Sequence, residues 1–199
     1  MQPKRRSIRL RGYNYAQHGL YFITLCCHNR EHRFGHVKNG QMHCNDFGVA
    51  VADVWSRCLD QFDLPNHHPL QIMPDHLHAI IELRHHVGAT LAVARDVPAV
   101  ARDELAVACC DCQIERAGAS PAPTCDWPLL GDVVGAYKSM AMQACLEICR
   151  ERKQVLGRFW QRNYYEHIIR DMDGAKRVYS YIESNPSAWA EGDENPARQ

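Results

Sequence analysis

Two short stretches hold residue types at spacings that chemistry can use. In Met73-Pro-Asp-His-Leu-His-Ala-Ile-Ile81, histidines stand at 76 and 78. Side chains two apart on a strand share a face, with Cα atoms roughly 6.5 Å apart. Both imidazoles can then reach one divalent ion while Leu77 turns to the core. Two histidine ligands leave coordination positions for substrate oxygens. Two strand histidines with unrelated roles give the same pattern.

The second stretch is Arg177-Val-Tyr-Ser-Tyr-Ile-Glu-Ser-Asn-Pro186. Residues four apart on a helix are neighbours. Ala175, Val178, Tyr179 and Ile182 cluster as its apolar side, which assigns Tyr179 to the core. Tyr181 lines up with Arg177 and Asn185 on the more polar side, one turn from an amide oxygen. That is a position for chemistry, although an ordinary half-buried tyrosine gives the same pattern and is the reading this motif favours by itself.

These residues need a scaffold. Leu20 to His28 is rich in β-branched and aromatic residues and reads as a strand. His36 to Cys44 contains Asn39-Gly40, a hairpin signal. Asn45 or Asp46 can cap a helix reaching about Phe62, closed by Pro65. His68 to Met73 and His76 to Leu83 read as two strands around Pro74-Asp75, the second largely buried. Leu129 to about Lys153 is the longest helical stretch, and Tyr164 to Arg170 is open between strand and helix. Asp173 to Ser184 reads as a helix ended by Asn185-Pro186.

The chain has 199 residues, 46% hydrophobic and 23% charged, which excludes disordered, collagen-like and coiled-coil classes. Its 23 Lys+Arg balance 23 Asp+Glu, so a uniformly basic nucleic-acid coat is excluded. The balance is uneven along the chain. Residues 85–130 hold Arg95, Arg102 and Arg116 against Asp96, Asp103, Glu104, Asp111, Glu115 and Asp126. An N-terminal arm, residues 1–18, holds Lys4, Arg5, Arg6, Arg9 and Arg11, which can lie along phosphates or simply be solvated.

No stretch approaches the roughly 18–20 apolar residues of a membrane helix, and the basic start leads into no apolar signal core. The expectation is a cytoplasmic protein whose ten cysteines serve mostly as small buried hydrophobes. The tract 88–127 half-repeats itself (Ala92-Val-Ala-Arg-Asp, Ala99-Val-Ala-Arg-Asp, Ala106-Val-Ala) and reads as an insertion within one domain, 19–189, followed by a flexible tail, 190–199. Cys109, Cys112 and Cys125, with Cys110, leave a zinc-binding alternative open, although no second Cys-x-x-Cys is present.

Taken together the motifs resemble the HUH single-tyrosine transposases, and more closely their REP-associated branch. The resemblance is carried by Gly19-Leu-Tyr-Phe-Ile-Thr-Leu, Met73-Pro-Asp-His-Leu-His-Ala-Ile-Ile, Tyr137-Lys-Ser, Phe159-Trp-Gln-Arg-Asn-Tyr-Tyr-Glu-His-Ile-Ile-Arg-Asp and Tyr181-Ile-Glu-Ser-Asn-Pro. These lie in the family's order and cover residues 1–84 and 129–189.

The resemblance implies an α+β, ferredoxin-like (RRM-like) domain, an antiparallel sheet with helices on one face. It places the family's histidines on His76 and His78, its nucleophile on Tyr181 and a third metal ligand on Asn185. It implies cleavage and rejoining of single-stranded or hairpin DNA through a 5′-phosphotyrosine, with Mg²⁺ or Mn²⁺, by a monomer or homodimer. Tyr164 and Tyr165 are rival nucleophiles better read as packing or stacking residues, and Glu166 and His167 as structural. Lys138, Arg158, Arg162 and Arg170 are expected phosphate contacts, along with the basic arm. A binding module that does not cut, or a decayed transposase, is the alternative.

Overall fold

The computed structural model describes residues 17–84 and 128–190. The 88–127 tract, residues 1–16 with the five cations of the basic arm, residues 191–199 of the tail, and Cys109, Cys110, Cys112 and Cys125 lie outside the described residues.

The order of elements is β1 (Gly19–Cys26), a hairpin of β2 (Gly35–Lys38) and β3 (Gln41–Cys44), α1 (Asp46–Gln61), β4 (Leu70–Ile72), β5 (His76–Leu83), α2 (Leu130–Glu151), β6 (Tyr165–Ile169) and α3 (Met172–Ala190). The main sheet runs β4-β5-β1-β6, every pair antiparallel. With the hairpin set aside, this is βαββαβ with the first and third strands central, the ferredoxin-like arrangement. The undecided segment before Arg170 is a strand because it completes the pairing of β1.

Local sequence accounts for the element ends. Asn45 caps α1, its side chain accepting from Gly48 N–H at 3.0 Å. Asp132 Oδ2 accepts from Leu129 N–H at the start of α2. Asn39 and Gly40 both have positive φ, 53° and 70°, as a two-residue hairpin turn requires. Gly48 lets α1 approach the chain closely: a Cβ there would stand 2.3 Å from the Phe34 carbonyl oxygen.

Alternation divides β1 and β5 between two apolar clusters. Tyr21, Ile23, Leu25, Leu77, Ala79, Ile81 and Leu83 pack with α1 and α2. Phe22 and Ile80 point the other way and pack with Ile169, Ala175 and Ile182. The helices therefore do not all lie on one face, as the resemblance led us to expect. The central strands are apolar on both faces, and burying one such side chain contributes about 1.5–3 kcal/mol, so α3 covers the second face.

A second difference concerns the end of α3. The helix continues through Asn185-Pro186 to Ala190 instead of stopping at Ser184. An internal proline removes one helical hydrogen bond. Here Asn185 and Pro186 are buried, and Trp189 packs its ring 5.7 Å from those of His76 and His32. Tertiary contact holds the last turn.

Among the described cysteines, Cys27, Cys58, Cys145 and Cys149 are buried and unpaired, as small hydrophobes; Cys44 is exposed. No helix among the described residues is long and apolar enough to cross a membrane.

Candidate active site

His76 and His78 lie on the face of β5 that α3 covers, each about 1% exposed. Their Nε2 atoms converge to 3.0 Å. The outer nitrogens are both engaged. His76 Nδ1 is 2.5 Å from Asp75 Oδ1, and His78 Nδ1 is 2.9 Å from Thr24 Oγ1. A carboxylate accepts only, so His76 carries its proton on Nδ1 and presents a lone pair at Nε2. Burial lowers the pKa of His76 against the opposing hydrogen bond to Asp75. Burial, reinforced by the charges of His76 and Arg30, takes His78 well below the ordinary imidazole value. Two neutral imidazoles with facing nitrogens are satisfied by a shared proton or by a cation held between them.

Tyr181 and Asn185 enter from α3. Tyr181 Oη is 3.4 Å from His78 Nε2, and its ring meets Phe22 and His78 edge-on at 5.9 and 5.2 Å. Burial raises the Tyr181 pKa, opposed by a hydrogen bond from Asn185 and by the charge of Arg30. Tyr181, Asn185 and Trp189 repeat every four residues, so the turn beyond Pro186 places an indole against His76. Sequence reasoning missed Trp189 by ending the helix early. It also missed Thr24, although Thr24 pairs directly with His78 across β1 and β5.

Arg30 supports the pair from the side. Its Nε is 2.8 Å from Asp75 Oδ2, and it also donates to Cys26 Sγ at 2.8 Å. Asn29 and Arg30 both have positive φ, 53° and 56°. Such backbone costs of order 1–3 kcal/mol per residue and persists where surroundings enforce it. Arg30 also lines a pocket of about 600 Å³ together with Arg158, Arg162, His28, Trp160 and Gln161. Among the described residues no acidic side chain lines it.

The remaining expected phosphate contacts divide. Arg158 and Arg162 are exposed at this pocket, and Arg170 is exposed after β6. Lys138 instead donates to the carbonyls of Gln161 and Asn163, and burial pushes its pKa down to about 8. Tyr165 is partly exposed on β6, at 42%. Glu166 pairs with Ile23 on the face away from the histidines, so it does not reach them. Tyr179, expected in the core, is half-buried, and its hydroxyl lies 2.5 Å from His68 Nδ1.

No protein-family profile matches the chain. An uncharacterized protein of Haemophilus influenzae is 36% identical over 185 residues, covering 93% of this chain and 89% of its own. Two solved structures are similar in fold. One is a REP-associated tyrosine transposase bound to a REP hairpin, with TM-score 0.49, 14% identity and coverage of 91% of this chain and 73% of that one. The other is a candidate transposase of Deinococcus radiodurans, with TM-score 0.44, 16% identity and coverage of 88% and 95%.

Proposed function

This chain belongs to one family with the uncharacterized Haemophilus influenzae protein, and we propose that it is a metal-dependent tyrosine endonuclease and strand transferase acting on single-stranded or hairpin DNA. The observation that carries this is the placement of Tyr181 Oη 3.4 Å from His78 Nε2, beside the converging nitrogens of the histidine pair. A nucleophile next to a pair of metal-competent imidazoles is the arrangement that phosphoryl transfer to tyrosine needs.

The donor set fits Mg²⁺ or Mn²⁺, with His76 and His78 through Nε2 and Asn185 through its amide oxygen as ligands. When bound, the ion supplies charge stabilisation at the scissile phosphate. The protein's part is positional. Asp75 and Thr24 fix the two rings. Asn185 holds the tyrosine oxygen by hydrogen bond, which favours its ionised form against the cost of burial. Trp189 and Phe22 wall the site.

In the proposed step Tyr181 Oη bonds to phosphorus as the P–O3′ bond breaks. The phenolic proton ends on the departing 3′-oxygen, so no outside acid is consumed. The products are a 5′-phosphotyrosine and a free 3′-OH, and attack by a 3′-OH reverses the step to rejoin a strand. Arg30, Arg158 and Arg162 supply cations for the incoming backbone.

The test is covalent trapping on single-stranded hairpins from DNA flanking the gene, with Mn²⁺ or Mg²⁺. Wild type and Tyr179→Phe are expected to form an adduct, and Tyr181→Phe none. An adduct surviving in Tyr181→Phe moves the nucleophile elsewhere. Tight hairpin binding with no adduct in wild type makes the protein a binding module.

A further inference from the structure

A second cluster of ligating side chains stands on the same sheet face. Glu82 is four residues beyond His78 on β5, about 13 Å along a strand. His67 and His68, ahead of β4, meet it. His68 Nε2 is 2.9 Å and His67 Nε2 is 3.7 Å from the same oxygen, Glu82 Oε2. The three ligand atoms all lie within 4.8 Å of one another.

Those separations suit one small ion. Tetrahedral zinc, with bonds of about 2.0–2.1 Å, spaces its ligand atoms roughly 3.3–3.5 Å apart. The two nitrogen–oxygen distances, 2.9 and 3.7 Å, fall on either side of that spacing. Two imidazoles and a carboxylate form a zinc donor set that leaves a fourth position for water. His67 is 62% exposed at its side chain, whereas His68 is 6% and Glu82 14% exposed, so the cluster is reached from solvent on the His67 side.

The outer hydrogen bonds are those that bound ligands use. His68 turns its other nitrogen, Nδ1, to Tyr179 Oη at 2.5 Å. Arg84 holds the carboxylate from its outer side, Nε donating to Glu82 Oε1 at 2.7 Å and Nη2 to Oε2 at 3.1 Å, while Oε2 is also where both histidines converge. Such partners fix the tautomer and aim of ligating histidines and carboxylates.

We propose that His67, His68 and Glu82 form a zinc site distinct from the His76–His78 pair. It fastens the segment before β4 to β5 and, through Tyr179, to the helix that carries Tyr181. The site stands whether or not the protein cuts DNA.

The test is zinc stoichiometry of the full chain after chelator treatment and reloading with Zn²⁺ alone, read by native mass spectrometry. Cobalt substitution gives a second readout through its visible absorption. His67→Ala and Glu82→Gln are each expected to carry one equivalent less than wild type and to lose the tetrahedral cobalt band. Because His67 is mostly exposed, His67→Ala is the variant least prone to misfold, and circular dichroism checks that both variants fold. His76→Ala/His78→Ala is expected to retain the band. Equal stoichiometry in wild type and folded His67→Ala, or a band that disappears only with the His76–His78 pair, overturns the proposal.

Discussion

Arg30 Nε lies 2.8 Å from Asp75 Oδ2, and the other oxygen of the same carboxylate lies 2.5 Å from His76 Nδ1. The strained backbone at Arg30 is thus spent on orienting the residue that orients a histidine. Asp75 is 3% exposed, so its charge is held almost wholly by these two partners. Asp75→Asn is expected to lower divalent-ion affinity or cleavage by about 10–100-fold, the usual cost of losing such a partner. An amide keeps one acceptor oxygen for two donors, so either His76 or Arg30 is left facing an NH2 group. Unchanged Mn²⁺ affinity and cleavage in a folded Asp75→Asn protein would count against this role.

The histidine pair makes stability depend on pH. Burial holds His78 well below 6.5, and His76 also stands below it. The unfolded chain therefore binds protons that the native state does not. Their stabilising contribution is complete above about pH 6.5 and declines as pH falls below it, by at most about 1.4 kcal/mol per pH unit for each histidine. In the presence of chelator, the melting temperature is expected to fall between about pH 7.5 and about pH 5. His78→Gln should flatten that dependence. A wild-type Tm that is level across this range would show that the pair titrates normally.

Much of this site was legible because strand and helix periodicities are strict. His-x-His on a strand puts both rings on one face, and the four-residue interval joins Tyr181 to Asn185. Relations between elements were harder to read. Nothing local marks Thr24 as the partner of His78, since their pairing depends on the register of β1 with β5. Trp189 was lost because Asn-Pro is a helix stop by propensity, whereas here packing against His76 and His32 outweighs it. Tyr179 read as core because helical spacing specifies a face but not what lies opposite, which is His68 from a distant loop.

Glu166 offers a test of how β6 is held. Both its carboxylate oxygens are buried without a hydrogen-bond partner among the described residues. A buried polar group left unpaired costs roughly 1–3 kcal/mol, more if charged. Its neighbour across β1 is Ile23, which is fully buried, so an apolar side chain suits the position. Glu166→Leu is expected to raise stability by roughly that amount in thermal or urea unfolding. It should leave covalent trapping intact, because the residue faces away from the histidines. A lower Tm, or loss of the adduct, would mean that the carboxylate has a partner of its own.

The pocket that Arg30 shares with Arg158 and Arg162 is expected to govern nucleic-acid affinity more than chemistry. Among the described residues it carries three guanidinium groups and no carboxylate, and Arg158 and Arg162 are themselves exposed. Neutralising a single-strand phosphate releases condensed counterions, so each lost contact should reduce the salt slope of log K by roughly 0.7. Arg158→Ala and Arg162→Ala are therefore expected to weaken binding of single-stranded or hairpin DNA about equally across sequences and to shallow the slope. The adduct yield at saturating DNA should hold, since neither residue touches Tyr181. Binding isotherms at several salt concentrations decide the matter. Unchanged slopes would remove this pocket from the DNA path, and a loss confined to one sequence would make it a reader of bases instead.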